Sequence, residues 1–120
     1  MSAYEKLPVY KSASDLAEYI DGVVCHFAKR HKYTVGAKLL NAALDALLLI
    51  AAAVKKEDRS DCLKQAIEKL EEMKILLRFS KNRKAFNSFH SFEVSTKKVI
   101  NVAKQCEGWL KYQNSLNGAS

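Results

Sequence analysis

Val35-Gly36-Ala37-Lys38-Leu39-Leu40-Asn41-Ala42-Ala43-Leu44-Asp45-Ala46-Leu47-Leu48-Leu49-Ile50-Ala51-Ala52-Ala53-Val54-Lys55-Lys56 is the stretch that decides the fold. Its apolar positions include Val35, Leu39, Leu40, Ala43, Leu44, Leu47, Leu48, Ile50, Ala51 and Val54, which recur in helical steps of three and four and do not alternate as in a strand. From Ala42 to Val54 the only polar residue is Asp45, so this helix, over about residues 35–56, has more apolar surface than one face can hold. A helix in a four-helix bundle keeps one side in water. Leu48, Leu49 and Ala52, which face away from the main stripe, are therefore expected to form a subunit interface. The most apolar run, Ala46 to Val54, is well below the roughly 20 residues that cross a bilayer, and Asp45 and Lys55 bracket it. It reads as a buried helix segment, with no membrane partner, and Thr34 stands where its helix needs an N-cap.

On the N-terminal side, Val9, Ala13, Leu16, Ile20, Val23 or Val24, and Phe27 form one stripe, which predicts a helix over about residues 8–29. Pro8 suits its first turn, where the missing N–H would have no intrahelical partner, and Lys29-Arg30-His31-Lys32 reads as a polar break. Gly22 costs about 1 kcal/mol relative to alanine inside a helix, which predicts a close backbone approach there. On the C-terminal side an acidic turn leads into Leu63, Ala66, Ile67, Leu70, Met73 and Leu77, a helix over about residues 60–81. Its acidic opening and basic close complement the helix macrodipole. Phe92, Thr96, Val99, Ala103, Cys106 and Leu110 mark the last helix, with Ser88 or Ser91 as its cap and Trp109 at the edge of the stripe.

Residues 114–120 show no pattern and are expected to be a disordered tail. One proline and four glycines in 120 residues favour long helices in a single domain. Short links between helices of roughly 30 Å favour antiparallel neighbours. The expected fold is thus all-α, an up-down-up-down antiparallel four-helix bundle over residues 1–113. Cys25, Cys62 and Cys106 are far apart and form no C-x-x-C pair, so neither a disulfide framework nor a zinc knuckle is expected and a reducing cytoplasm fits. Met1 to Pro8 lacks the basic-then-apolar layout of a signal peptide, so no export is expected.

The formal charge is +7, which favours an anionic partner: nucleic acid, membrane or acidic protein. In the expected topology the link after the first helix and the link after the third share one end of the bundle. Lys29, Arg30, Lys32 and Lys38 then meet Lys81, Arg83 and Lys84, with His31 and His90 nearby as donors. At the opposite end Lys55, Lys56 and Arg59 balance Glu57, Asp58 and Asp61. From Met73 to Lys111 nine basic residues (Lys74, Arg78, Lys81, Arg83, Lys84, Lys97, Lys98, Lys104 and Lys111) face two acidic ones, Glu93 and Glu107, a surplus of seven. The same charges could form a merely solvated face, and Phe79, Phe86 and Phe89 could simply close the core. A phosphate backbone, with unstacked bases, is the functional alternative.

Catalytic signatures do not occur. There is no phosphate-binding G-x-x-x-x-G-K-[ST] loop, G-x-G-x-x-G turn, H-E-x-x-H helix or G-x-S-x-G elbow. Cys25 and His26 are adjacent, hence about 100° apart on a helix, and cannot face one another as nucleophile and base. Glu68, Glu71 and Glu72 lack the Glu-x-x-His pattern of metal-binding bundles and read as a solvated face with Lys64 and Lys69. No enzyme activity, cofactor, metal or small-molecule substrate is expected.

Three segments carry a family resemblance: Tyr33-Thr34-Val35-Gly36, the run Leu70-Glu71-Glu72-Met73-Lys74-Ile75-Leu76-Leu77-Arg78-Phe79-Ser80-Lys81, and Gly108-Trp109-Leu110-Lys111. Over about residues 7–112 the chain resembles the Avd (accessory variability determinant) proteins of diversity-generating retroelements. More broadly, it resembles the four-helix-bundle family that includes proteins encoded in 23S rRNA intervening sequences. The resemblance implies a ring-shaped homopentamer that associates with a retroelement reverse transcriptase and with RNA, DNA being a second candidate, to support mutagenic cDNA synthesis. The polymerase would do the chemistry. A parallel ring would multiply the charge to about +35 and strengthen polyanion contact through multivalency. The candidate contacts to nucleic acid and polymerase are Lys29, Arg30, Lys32, Lys74, Arg78, Lys81, Arg83, Lys84, Lys97, Lys98 and Lys104. The very apolar end of the second helix departs from the family pattern. The alternative is a structural homo-oligomer of the intervening-sequence type that binds protein partners only, its charge serving solubility.

Overall fold

The computed structural model describes residues 7–118, among which no strand occurs. Its helices are α1 (Pro8–Cys25), α2 (Lys29–Lys32), α3 (Val35–Val54), α4 (Ser60–Asn82) and α5 (Phe89–Leu116). The four long helices form a bundle measuring 48 × 33 × 21 Å in which α1 packs on α3 and α5, and α4 packs on α3 and α5. Short connections between such neighbours make them antiparallel, as expected.

Most of the predicted apolar positions point inward, Leu44 and Leu48 of α3 being exposed exceptions. Leu16 and Ile20 of α1, Leu39 and Ile50 of α3, Leu63, Leu70, Met73 and Leu77 of α4, and Val99, Val102 and Cys106 of α5 are all less than 2% exposed. Two buried hydroxyls are satisfied within their own helices: Ser80 donates to the Leu76 carbonyl and Ser95 to the Ser91 carbonyl, both at 2.7 Å. Such back-bonding lets serine occupy a core position without an orphaned polar atom.

Four boundaries differ from expectation. First, α1 stops at Cys25 and does not run to residue 29, because the His26 and Phe27 amides close its end on Val23 and Val24. A continuing helix would aim the Ala28 N–H at Val24. Instead it donates to the Ala85 carbonyl at 2.9 Å, across to the link between α4 and α5. Second, the expected polar break at Lys29-Arg30-His31-Lys32 is itself one helical turn, with His31 buried. Third, Thr34 occupies the N-cap position of α3 but does not cap it. Its hydroxyl points back to the Arg30 and His31 carbonyls at 3.4 Å, whereas Ser88 does cap α5, accepting the Ser91 amide at 3.2 Å. Fourth, α5 continues through residues 114–116, where the sequence predicts a tail. Gln113 is buried there and donates to Asn117, and the Ser60 hydroxyl reaches the Asn114 side chain at 3.5 Å. Residues 1–6 and 119–120 of the expected domain and tail lie outside the described residues.

Within Lys29–Val54, which spans α2 and α3, one stretch is apolar and long enough on composition alone to cross a membrane. Its place between α1 and α4 makes it a core helix of the bundle. Only 33% of its most apolar window is buried, however, so the surplus apolar face inferred from the sequence exists. Leu48 is 66% exposed, and Ala52 joins it in a shallow depression beside Lys55 and Lys56. Leu49 is half-buried against the core instead.

The tight backbone approach falls at Gly36 and not at Gly22. A Cβ at Gly36 would lie 2.9 Å from Val24 Cγ1, 3.1 Å from the His31 carbonyl oxygen and 3.3 Å from Phe27, whereas nothing lies within 4 Å of one at Gly22. Val24 is β-branched and the carbonyl is backbone, so neither gives way easily. Gly36→Ala is expected to destabilise by about 1–3 kcal/mol through overpacking, and Gly22→Ala to stabilise by up to about 1 kcal/mol. Urea denaturation of the two variants checks both signs.

Candidate functional site

The Ala28–Ala85 hydrogen bond joins the two basic turns. It is reinforced beneath by Phe27 and Phe86, whose rings meet edge-on at 5.0 Å, and by Phe92, 5.7 Å from Phe86. Two helices end at this pole and two begin, so their macrodipoles largely oppose one another. The field there comes from side chains.

The turn after α4 explains how Ala85 reaches Ala28. Lys84 adopts φ 58°, the Lys84 amide donates to the Lys81 carbonyl at 3.0 Å, and the Ala85 amide donates to the Ser80 carbonyl at 2.9 Å. These two bonds are those of a Schellman motif, which satisfies the last carbonyls of a helix and reverses the chain. Ala85, the apolar residue after the reversal, is buried and thereby presents its own carbonyl to Ala28. A left-handed backbone is ordinarily a glycine position, and an L side chain there costs roughly 1–2 kcal/mol.

The structure brings seven of the expected site residues to this pole. Lys29, Arg30 and Lys32 lie on α2, Arg78 and Lys81 in the last turns of α4, and Arg83 and Lys84 in the reversal. Among the described residues none of these seven forms an ion pair with a carboxylate. Lys81 Nζ lies 5.2 Å from the Phe92 ring centroid, and Lys32 Nζ 5.7 Å from that of Tyr33. The other four sit away from the cluster or are engaged. Lys74 pairs with Glu71 at 2.9 Å, Lys98 pairs with Asp15 on α1 and covers Tyr19, and Lys97 and Lys104 are exposed farther along α5.

Of the three phenylalanines singled out, Phe86 packs into the end of the core, while Phe79 and Phe89 are exposed. Tyr33 is 75% exposed on the same pole. Its position between two helices, outside any stripe, was the available signal, and periodicity alone passes over it.

The remaining reactive groups are inert or isolated. Burial pushes the Cys106 thiol up to about 12, which keeps it protonated. Among the described residues no group of three His, Cys, Asp or Glu side chains is arranged to hold a metal ion. At the far pole Asp58 accepts the Ser60 amide at 3.0 Å, a bond that holds its carboxyl below the usual range, and Arg59 stacks 5.2 Å from the Trp109 ring.

Lys84→Gly is expected to raise stability by about 1 kcal/mol by removing the left-handed strain, and to weaken polyanion binding by removing a cation. Paired urea denaturation and salt-dependent binding measurements show whether the two effects run in opposite directions. A loss of stability would mean that the reversal is not strained.

Comparison with curated proteins finds no significant match. A model of the family described as bAvd-like, by contrast, matches residues 7–113, from the residue before α1 to within the last turn of α5. That span takes in nearly the whole bundle and both clasped turns, and the chain belongs to the bAvd-like family.

Proposed function

We propose that the protein is a non-catalytic accessory subunit that holds RNA, and the reverse transcriptase acting on it, against its basic pole. The supporting observation is the clasp. Through one backbone bond, cations from α2 and from the α4–α5 reversal share one surface, and no carboxylate among the described residues neutralises them. Seven unpaired cations on one pole suit an extended polyanion, whose counterions they release. Family membership supports the accessory role.

The surplus apolar face of α3 supports self-association into a ring-shaped homopentamer. Leu48 is exposed well beyond what a bundle helix needs, and a ring would cover it while repeating the basic pole around one axis. A purely structural oligomer that binds only protein would show the same apolar face, but gains nothing from clustered, unpaired cations.

Reversing Arg78, Lys81, Arg83 and Lys84 to Glu is expected to abolish RNA retention with helicity and assembly size unchanged. Even neutral substitutions at these four positions should flatten the slope of log affinity against log salt by about 3. Filter binding from low to high salt reads both, and unchanged retention contradicts the proposal. Leu48→Asp is expected to dissociate the assembly, read by light scattering. An unaltered mass places the subunit interface elsewhere.

A further inference from the structure

A groove of about 720 Å³ opens beside the basic pole, along the seam between α2, the first turns of α3 and the last turns of α4. Its walls include Tyr33, Phe79 and Leu76, with Arg30, Lys38 and Asn41 at its edges. Tyr33 is 75% exposed and Phe79 50% exposed. The core needs neither ring, because Phe27, Phe86 and Phe92 already close this end of the bundle. No carboxylate lines the groove.

Two exposed aromatic rings in a cation-rimmed groove have a specific chemistry. Each offers a flat apolar face on which an unpaired base stacks, and the cations meet the phosphates on either side. Lys32 Nζ lies over the Tyr33 ring, 5.7 Å from its centroid, so a cation already stands beside this ring. Arg30 and Lys38 provide the same on the groove's edges, and the Asn41 amide can donate to and accept from a base edge.

The groove is separate from the apolar patch around Leu48. That patch lies about 20 Å farther along α3 at the helical rise, and Lys69 bridges the space between with Asp45 at 3.9 Å and Glu72 at 3.5 Å. A second copy of this basic chain would bring like charge to the groove, whereas a nucleic acid brings the opposite charge.

We propose that this groove stacks unpaired bases of single-stranded RNA on Tyr33 and Phe79, with Arg30, Lys32 and Lys38 holding the flanking phosphates. The inference rests on the reading of the basic pole as an RNA-binding surface and adds to it a preference for single strands over duplex.

The test compares an oligouridylate with an RNA duplex of equal phosphate count, each titrated with the intact protein. The wild type is expected to favour the single strand. Tyr33→Ala and Phe79→Ala should each weaken single-strand binding by roughly tenfold and leave duplex binding and assembly size unchanged, while Tyr33→Phe, which keeps the ring, retains full affinity. Equal loss on both RNAs, no loss on either, or a change in assembly size with either alanine variant overturns the proposal, the last by assigning the groove to contact between copies. A wild type that binds both RNAs equally overturns the groove alone. One that binds neither overturns the RNA-binding reading and this inference together.

Discussion

The Ala28 N–H reaches across to the Ala85 carbonyl at 2.9 Å, and the arrangement of the functional pole depends on that reach. The Ala28 amide lies just past the end of α1, where no intrahelical carbonyl is left for it, and a bond to the protein is the alternative to a bond with water. Here the partner comes from the other half of the chain. The bond ends α1 early, starts the single turn of α2, and sets the Arg30 segment beside the Arg83 segment. Gly36 fits the same requirement, since α3 must begin within van der Waals contact of Val24, Phe27 and the His31 carbonyl.

Two features run against stability and find their account in that pole. Lys84 holds a backbone conformation suited to glycine, at a position where its charge adds to the cluster. Seven like charges, without carboxylate partners among the described residues, also repel one another. Both are understandable where a polyanion supplies the missing countercharge. The far pole differs in composition, since Lys55, Lys56 and Arg59 are equalled in number by Glu57, Asp58 and Asp61, and Arg59 is stacked on Trp109.

Much of the fold was legible in the sequence because a core stripe repeats every three or four residues, and Leu16, Leu39, Leu70 and Val99 each sit on one. The convergence of the Arg30 and Arg83 turns followed from antiparallel topology. What escaped reading depends on contacts remote in sequence. No residue type in the sequence marks Cys25 as the end of α1, where the His26 and Phe27 amides close the helix and the Ala28 amide turns to Ala85. Thr34 looked like a cap, yet its hydroxyl turns back to α2. Gly22 and Gly36 are equivalent in a sequence, and only the neighbour across the helix crossing distinguishes them. A count of cations likewise does not reveal that Lys98 is paired with Asp15 from α1, or that Lys74 is held by Glu71. Tyr33 and Phe79 belong to no stripe, and their exposure emerges only once the core is complete without them.

Amide hydrogen exchange at Ala28 in the intact protein tests the clasp most directly. If the two basic turns are joined as described, this amide exchanges far more slowly than that of an unstructured peptide, because the bond to Ala85 must open first. Exchange as fast as that of an unstructured peptide would show that the turns are not held together, and the single basic surface would lose its foundation.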